Sequence, residues 1–166
     1  MKNRLNLYSQ KLPISEFYIR FSLIIVTVIM IILRFLFNEK GRVNPDSIRY
    51  FRTSDAFPVI DNTVTPLGYP LSLKFFTIFG IGEFWGSKII GIFAYLFIVY
   101  FAKKKKFYFV ETILIGGLFS FVSIFSYTMS ETLILPVVFL FLYCSQKIIK
   151  NEITGSKAIL YLSLIL

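Results

Sequence analysis

Long apolar blocks alternate with short charged stretches along this chain. Four of the blocks reach the ~20 residues that a helix needs to cross about 30 Å of hydrocarbon at about 1.5 Å per residue. They run over about 17–37, 84–102, 107–127 and 132–149. Because a soluble domain could not cover so much apolar surface, the pattern predicts an all-α, polytopic bundle of transmembrane helices.

A fifth apolar block begins near Ala158 and continues to Leu166. Its nine residues are too few to cross a bilayer. A helix that ended inside the hydrocarbon would also leave its last carbonyl groups without partners. We therefore expect residues 1–166 to be the N-terminal part of a single transmembrane domain in a longer chain.

Lysine and arginine flank the four blocks unevenly. They precede the first block, separate the second from the third at Lys103–Lys106, and follow the fourth. These places share one side of a four-span topology, and the positive-inside rule assigns that side to the cytoplasm, with the N-terminus. Three further cations near span ends are expected to extend their charged groups to the interface, namely Arg20, Arg34 and Lys88.

The net charge of +9 does not indicate a nucleic-acid partner, because about half of the basic residues fall in the inside loops, where topology and anionic membrane lipid account for them. The chain has no histidine and a single cysteine, Cys144. A structural zinc site and a nucleophile paired with histidine are therefore excluded within these residues.

The segment from 38 to 83 lies on the opposite, outer side and is long for a connection. Asn44-Pro45-Asp46-Ser47 reads as an N-cap, a proline at the first helical position and an acid in the first turn, so a short helix is predicted from there to about Ala56. A second short helix is predicted from near Tyr69-Pro70 to Gly80. Both are expected to lie along the outer interface.

Three motifs follow one another through this part of the chain. Asp46 is followed four residues later by Tyr50, Pro66-Leu67-Gly68-Tyr69-Pro70-Leu71 opens an apolar helix, and Ser130-Glu131 starts a span that ends in Leu142-Tyr143. This order resembles the GT-C superfamily of membrane glycosyltransferases, and in particular its bacterial branch related to dolichyl-phosphate-mannose protein mannosyltransferases and to the aminoarabinose and lipopolysaccharide-core transferases.

The resemblance implies an activity and a location. Its members take a sugar from a polyprenyl-phosphate carrier and attach it to a lipid, glycan or protein acceptor on the outer face of the membrane. An acidic residue in the first outer loop serves catalysis. The resemblance would place this chain in the bacterial inner membrane as the N-terminal portion of such an enzyme, a portion expected to be inactive alone.

Two carboxylates are the candidates for catalysis. A carboxylate within about 3 Å of an attacking hydroxyl can take its proton, and Asp46 is the first choice, with Glu131 the second. Each residue also has a structural explanation. A helix dipole favours an acid at the position of Asp46, and Glu131 stands three residues after Thr128, as in a capping box.

The departing phosphate would be stabilised by nearby cations. The cations available are Arg49, Arg52 and Lys74, although Arg49 could instead pair with Asp46, and the aromatic residues of the substrate loop are Tyr50 and Tyr69. Many relatives carry two adjacent acids where this chain has Asp46-Ser47. The sequence therefore requires no cofactor and leaves a divalent metal ion open.

Two other functions stay open at this point. An envelope polysaccharide polymerase would also bring outer loops and lipid-linked sugars together, but it would transfer whole repeat units. A non-enzymatic transporter or flippase subunit would contain inverted repeats with broken helices near the midplane, and the sequence shows no such repeat in its four apolar blocks.

Overall fold

Helices make up the whole regular structure of the described part of the chain. The structure, a computed structural model, describes residues 14–59 and 66–150. Seven helices and no strand lie within these residues, which confirms the all-α prediction. The helices are α1 (Ile14–Leu36), α2 (Pro45–Ala56), α3 (Gly68–Ile78), α4 (Glu83–Lys105), α5 (Phe109–Gly116), α6 (Phe119–Ser126) and α7 (Glu131–Ile149).

Three of these helices, α1, α4 and α7, are long and apolar enough to cross a membrane. They coincide with the first, second and fourth predicted spans. Helices α5 and α6 satisfy the same requirement only when taken together. The predicted fifth block lies outside the described residues.

The third predicted span, 107–127, is interrupted rather than continuous. Helix α5 ends at Gly116, α6 begins at Phe119, and the two axes differ in direction by 75°. Between them Leu118 has an extended backbone with φ −66° and ψ 143°. Gly116 lies so close to the Tyr95 ring of α4 that an added Cβ would be 2.8 Å from a ring carbon. A side chain at position 116 would collide with this ring, and a hydropathy pattern does not register such packing.

Helix α4 is the centre of the bundle and packs on α1, α5, α6 and α7. Its Tyr95 and Ile98 are buried against Ile31 of α1 and Phe125 of α6. At Gly91 the backbones of α4 and α6 come into contact, since an added Cβ would lie 2.0 Å from the carbonyl oxygen of Phe125. Such close approach of two helices requires a residue without a side chain.

The two short helices between α1 and α4 form a second, smaller packing unit with α4. Tyr69 and Leu73 of α3 are buried with Ile90, and Tyr50 of α2 packs against them. Helix α2 begins as predicted, because the Asn44 side chain accepts a hydrogen bond of 2.7 Å from the backbone amide of Ser47. The orientation of α2 and α3 along the membrane interface stays a prediction.

Candidate functional site

The turn between α6 and α7 contains a fully buried residue, Thr128, which contacts both helix α4 and the segment between α1 and α4. Its backbone amide donates to the carbonyl of Arg42 at 3.3 Å, and its own carbonyl accepts from the Ser47 hydroxyl at 2.6 Å. Its hydroxyl oxygen lies 2.8 Å from that of Ser87 and 3.0 Å from the ammonium group of Lys88. We call these five residues the Thr128 junction.

Lys88 is the more deeply buried of the two charged residues in this junction and is 1 % exposed. Its ammonium group donates to the carbonyl of Ser126 at 3.1 Å and to the Thr128 hydroxyl, and it lies 5.0 Å from the centre of the Phe84 ring. Among the described residues no carboxylate pairs with it. The prediction that Lys88 extends to the interface was therefore wrong, because two oxygens and an aromatic face hold the ammonium group inside the protein.

The role of Thr128 also replaces the capping-box explanation of Glu131. The N-cap of α7 is Ser130, and no side chain caps the helix there. Thr128 stands two residues before that N-cap, and its hydroxyl is engaged with Ser87 and Lys88. Glu131 is thus exposed at the first position of α7 without a capping function.

Arg42 fixes the other side of the junction. Its guanidinium group lies 3.7 Å above the centre of the Tyr127 ring and donates to the Ser123 hydroxyl. Burial lowers the pKa of Arg42, the nearby Arg34 lowers it further, and Tyr127 opposes both. An arginine stays protonated despite such a shift. The junction therefore contains two partly or fully buried cations, Arg42 and Lys88.

An aromatic pair connects α2 and α3 to the start of α7. The rings of Tyr50 and Tyr69 meet edge to face with centres 5.1 Å apart. The Tyr50 hydroxyl lies 3.0 Å from that of Ser130, which donates to a carboxylate oxygen of Glu131 at 3.4 Å. The structure thus brings together three of the sequence-predicted site residues, Tyr50, Tyr69 and Glu131.

Tyr69 is 2 % exposed, and its hydroxyl has no well-formed hydrogen bond, although Ser87 and the backbone of Met129 lie next to it. Burial raises the pKa of Tyr69 well above its usual value, and the nearby Tyr50 and Glu131 add to this shift. The phenol is therefore neutral under physiological conditions. Its ring packs against Tyr50, and its hydroxyl oxygen is a buried polar atom without a well-formed hydrogen bond.

Asp46 and Arg49 lie on the exposed surface of α2 and form an ion pair of 3.5 Å. Arg52 is also exposed on α2, one turn farther along. Lys74 is half-buried on α3 and lies within electrostatic reach of Glu83. Arg49 is thus the predicted cation that contacts the predicted base, Asp46.

A metal centre is not built within residues 14–59 and 66–150, since no group of three carboxylate, cysteine or histidine side chains converges there. Lys88 and Thr128 are the central residues that the sequence analysis did not select. A lysine inside an apolar block, preceded by a serine, was the available signal.

Comparison of the chain with protein-family models, with curated proteins and with solved structures finds no match.

Proposed function

We propose that this chain is the N-terminal part of a GT-C-type membrane glycosyltransferase. It would transfer a sugar from a polyprenyl-phosphate carrier to a lipid, glycan or protein acceptor on the outer face of the membrane. The observation that carries the proposal is the anchoring of the outer loop. Helix α2 carries the exposed Asp46, and α7 begins with the exposed Glu131. Two hydrogen bonds hold α2 against the turn that precedes α7.

Anchoring matters because a general base must be held at a fixed position and still be reached by substrate. Asp46 is the second residue of α2, and the next residue, Ser47, is fixed to the Thr128 carbonyl. One turn farther on, Tyr50 is fixed to Ser130. Residues four apart share one face of a helix, so Asp46 and Tyr50 present a carboxylate and an aromatic ring on the same side of α2.

The reaction assigns a role to each charged group. The acceptor oxygen forms a bond to the anomeric carbon, its proton passes to Asp46, and the bond from that carbon to the carrier phosphate breaks with its electron pair on the phosphate oxygen. Arg49, now 3.5 Å from Asp46, would exchange its carboxylate partner for the departing phosphate. Arg52 and Lys74 would contribute at longer range, and Glu131 is the alternative base.

The experiment is sugar transfer by the full-length protein in proteoliposomes. Radiolabelled mannose, glucose and aminoarabinose, each linked to undecaprenyl phosphate, are the donors, with total membrane lipids and oligosaccharides as acceptors. Asp46→Asn is expected to lower the transfer rate by a factor of about 10² to 10⁴, the usual contribution of a general base. Glu39→Gln, an exposed acid of the same loop, is the control and should leave the rate unchanged.

Two results would overturn the proposal. If Asp46→Asn transfers sugar at the wild-type rate, Asp46 is not the catalytic base. If no donor gives any transfer, the protein is not a glycosyltransferase of this type. The products decide between single-sugar transfer and polymerisation, because a polymerase would add whole repeat units. Addition of magnesium or of a chelator to the same assay decides whether a metal ion takes part.

A further inference from the structure

The bend between α5 and α6 opens a cavity of about 670 Å³ inside the bundle. Helices α4, α5, α6 and α7 form its walls, and most of the lining is apolar. The principal apolar lining residues are Tyr95, Ile98, Phe125, Leu135, Val138 and Phe139. The volume falls in the range of roughly 300 to 1,000 Å³ that is usual for small-molecule sites.

One end of this cavity is polar. Tyr108, Glu111 and Gln146 line it, and the Gln146 side-chain amide donates to the Tyr108 hydroxyl at 3.0 Å. This contact joins the start of α5 to the last turns of α7. The cavity therefore has an apolar body between the helices and a polar mouth at the end of the bundle where α4 and α7 finish.

Several lysines stand close in sequence to these polar residues. The run Lys103–Lys106 directly precedes the lining residues Phe107 and Tyr108, and Lys147 and Lys150 stand at the end of α7 beside Gln146. Lys103 and Lys104 lie over aromatic rings, whereas Lys105 and Lys106 adjoin the lining residues. Glu111 is the carboxylate among the lining residues of the cavity.

We propose that the cavity binds an acyl chain of an anionic phospholipid from the surrounding bilayer, with the lipid phosphate at the lysine mouth. An apolar cavity at membrane depth is filled by hydrocarbon rather than water. Each lysine close to a membrane surface strengthens the binding of anionic lipid by about fivefold. The chemistry thus selects a lipid with a net negative charge over a zwitterionic lipid with the same chains. This site lies apart from Asp46 and does not depend on the proposed transferase activity.

Native mass spectrometry of the full-length protein in mild detergent tests the charge selection. Phosphatidylglycerol and phosphatidylcholine with identical chains are titrated separately. Lys105→Gln and Lys106→Gln should each weaken phosphatidylglycerol binding about fivefold, and together about 30-fold, without a change in phosphatidylcholine binding. Lys40→Gln is the matched control. Lys40 follows the C-terminal end of α1, away from the mouth of the cavity, and its substitution should not change lipid binding.

A second variant tests the cavity itself. Ser145 lines the cavity, so Ser145→Phe should fill it and displace phosphatidylglycerol. Ser120→Phe places the same ring at an exposed position of α6 that does not line the cavity, and it should leave binding intact. If Ser145→Phe fails to fold, the lysine variants still decide the question.

Three outcomes would overturn the proposal. Equal affinities for the two lipids would remove the charged headgroup site. Absence of any bound lipid would mean that another helix of the chain fills the cavity. Binding that disappears on dimer formation, seen by size-exclusion chromatography, would mean that a second copy fills it.

Discussion

The ammonium group of Lys88 donates a hydrogen bond to the backbone carbonyl of Ser126, 3.1 Å away, at the last residue of α6. The final carbonyls of a helix have no partner within that helix and carry partial negative charge. A cation from α4 thus caps the C-terminal end of α6. Through its second bond, to the Thr128 hydroxyl, it also fixes the turn that leads to α7.

Lys88→Met should destabilise the bundle. The methionine keeps the apolar volume but leaves the Ser126 carbonyl and the Thr128 hydroxyl without their charged donor, at a cost of about 1.5–3 kcal/mol. The measurement is the thermal midpoint of unfolding in detergent. Lys104→Met changes an exposed lysine of the same helix and is the control. A wild-type midpoint in Lys88→Met would show that the ammonium group does not hold this turn.

Gly91→Ala should be among the most damaging single-methyl changes in the chain. The new Cβ would stand 2.0 Å from the Phe125 carbonyl oxygen, and because that atom belongs to the backbone, α4 and α6 must separate. A loss of about 1–3 kcal/mol in unfolding free energy is expected from such overpacking. Gly68→Ala is the control, since no atom lies within 4 Å of its added Cβ. Equal stability of the two variants would contradict the backbone contact.

The start of α2 could be predicted from sequence because its cause is local. The Asn44 cap, the first-turn proline and Ser47 all act within four residues. At the interruption, Gly116 packs against Tyr95, which is about twenty positions away in the chain. The glycine pair within the apolar block was the sequence signal for this interruption. Hydropathy, however, depends on composition and does not report whether a helix is continuous.

Tyr69 should make stability depend on pH above about 10. Burial raises its pKa in the folded state above the ordinary value of 10.0, so the folded protein holds this proton where the unfolded chain releases it. The stabilisation is complete below pH 10 and is lost as pH rises beyond it. The thermal midpoint measured from pH 8 to 11 should therefore fall more steeply in the wild type than in Tyr69→Phe. Identical slopes in the wild type and in Tyr69→Phe would refute the assignment.

Tyr50→Phe should loosen α2 without unfolding the bundle. It removes the 3.0 Å contact with Ser130, a loss of about 1 kcal/mol that speeds amide exchange in α2 about fivefold. Ser47 still binds the Thr128 carbonyl and keeps the helix docked. Hydrogen–deuterium exchange of α2 peptides is the measurement, with Tyr18→Phe on α1 as the control. Unchanged exchange in α2 would show that the Tyr50 hydroxyl does not anchor it.

The sequence selected the residues at the surface of the candidate site and missed those beneath it. Asp46, Tyr50 and Glu131 stand out as polar or aromatic residues beside apolar blocks. Lys88 has the same sequence context as a lysine that reaches the interface, and only the position of the Ser126 carbonyl distinguishes the two cases. Thr128 looked like a helix cap for the same reason: its hydroxyl partners, Ser87 and Lys88, come from forty residues earlier.

The bend between α5 and α6 also bears on how the chain enters the membrane during synthesis. Insertion responds to hydropathy summed over about 20 residues, so the segment 107–127 qualifies as one unit. Neither α5 nor α6 could cross alone, because eight residues of helix span only about 12 Å. A crossing by this segment therefore needs both helices, with Gly116 of α5 against Tyr95 of α4 and the end of α6 against Lys88. Helix α4 is the common surface against which both halves of this segment pack.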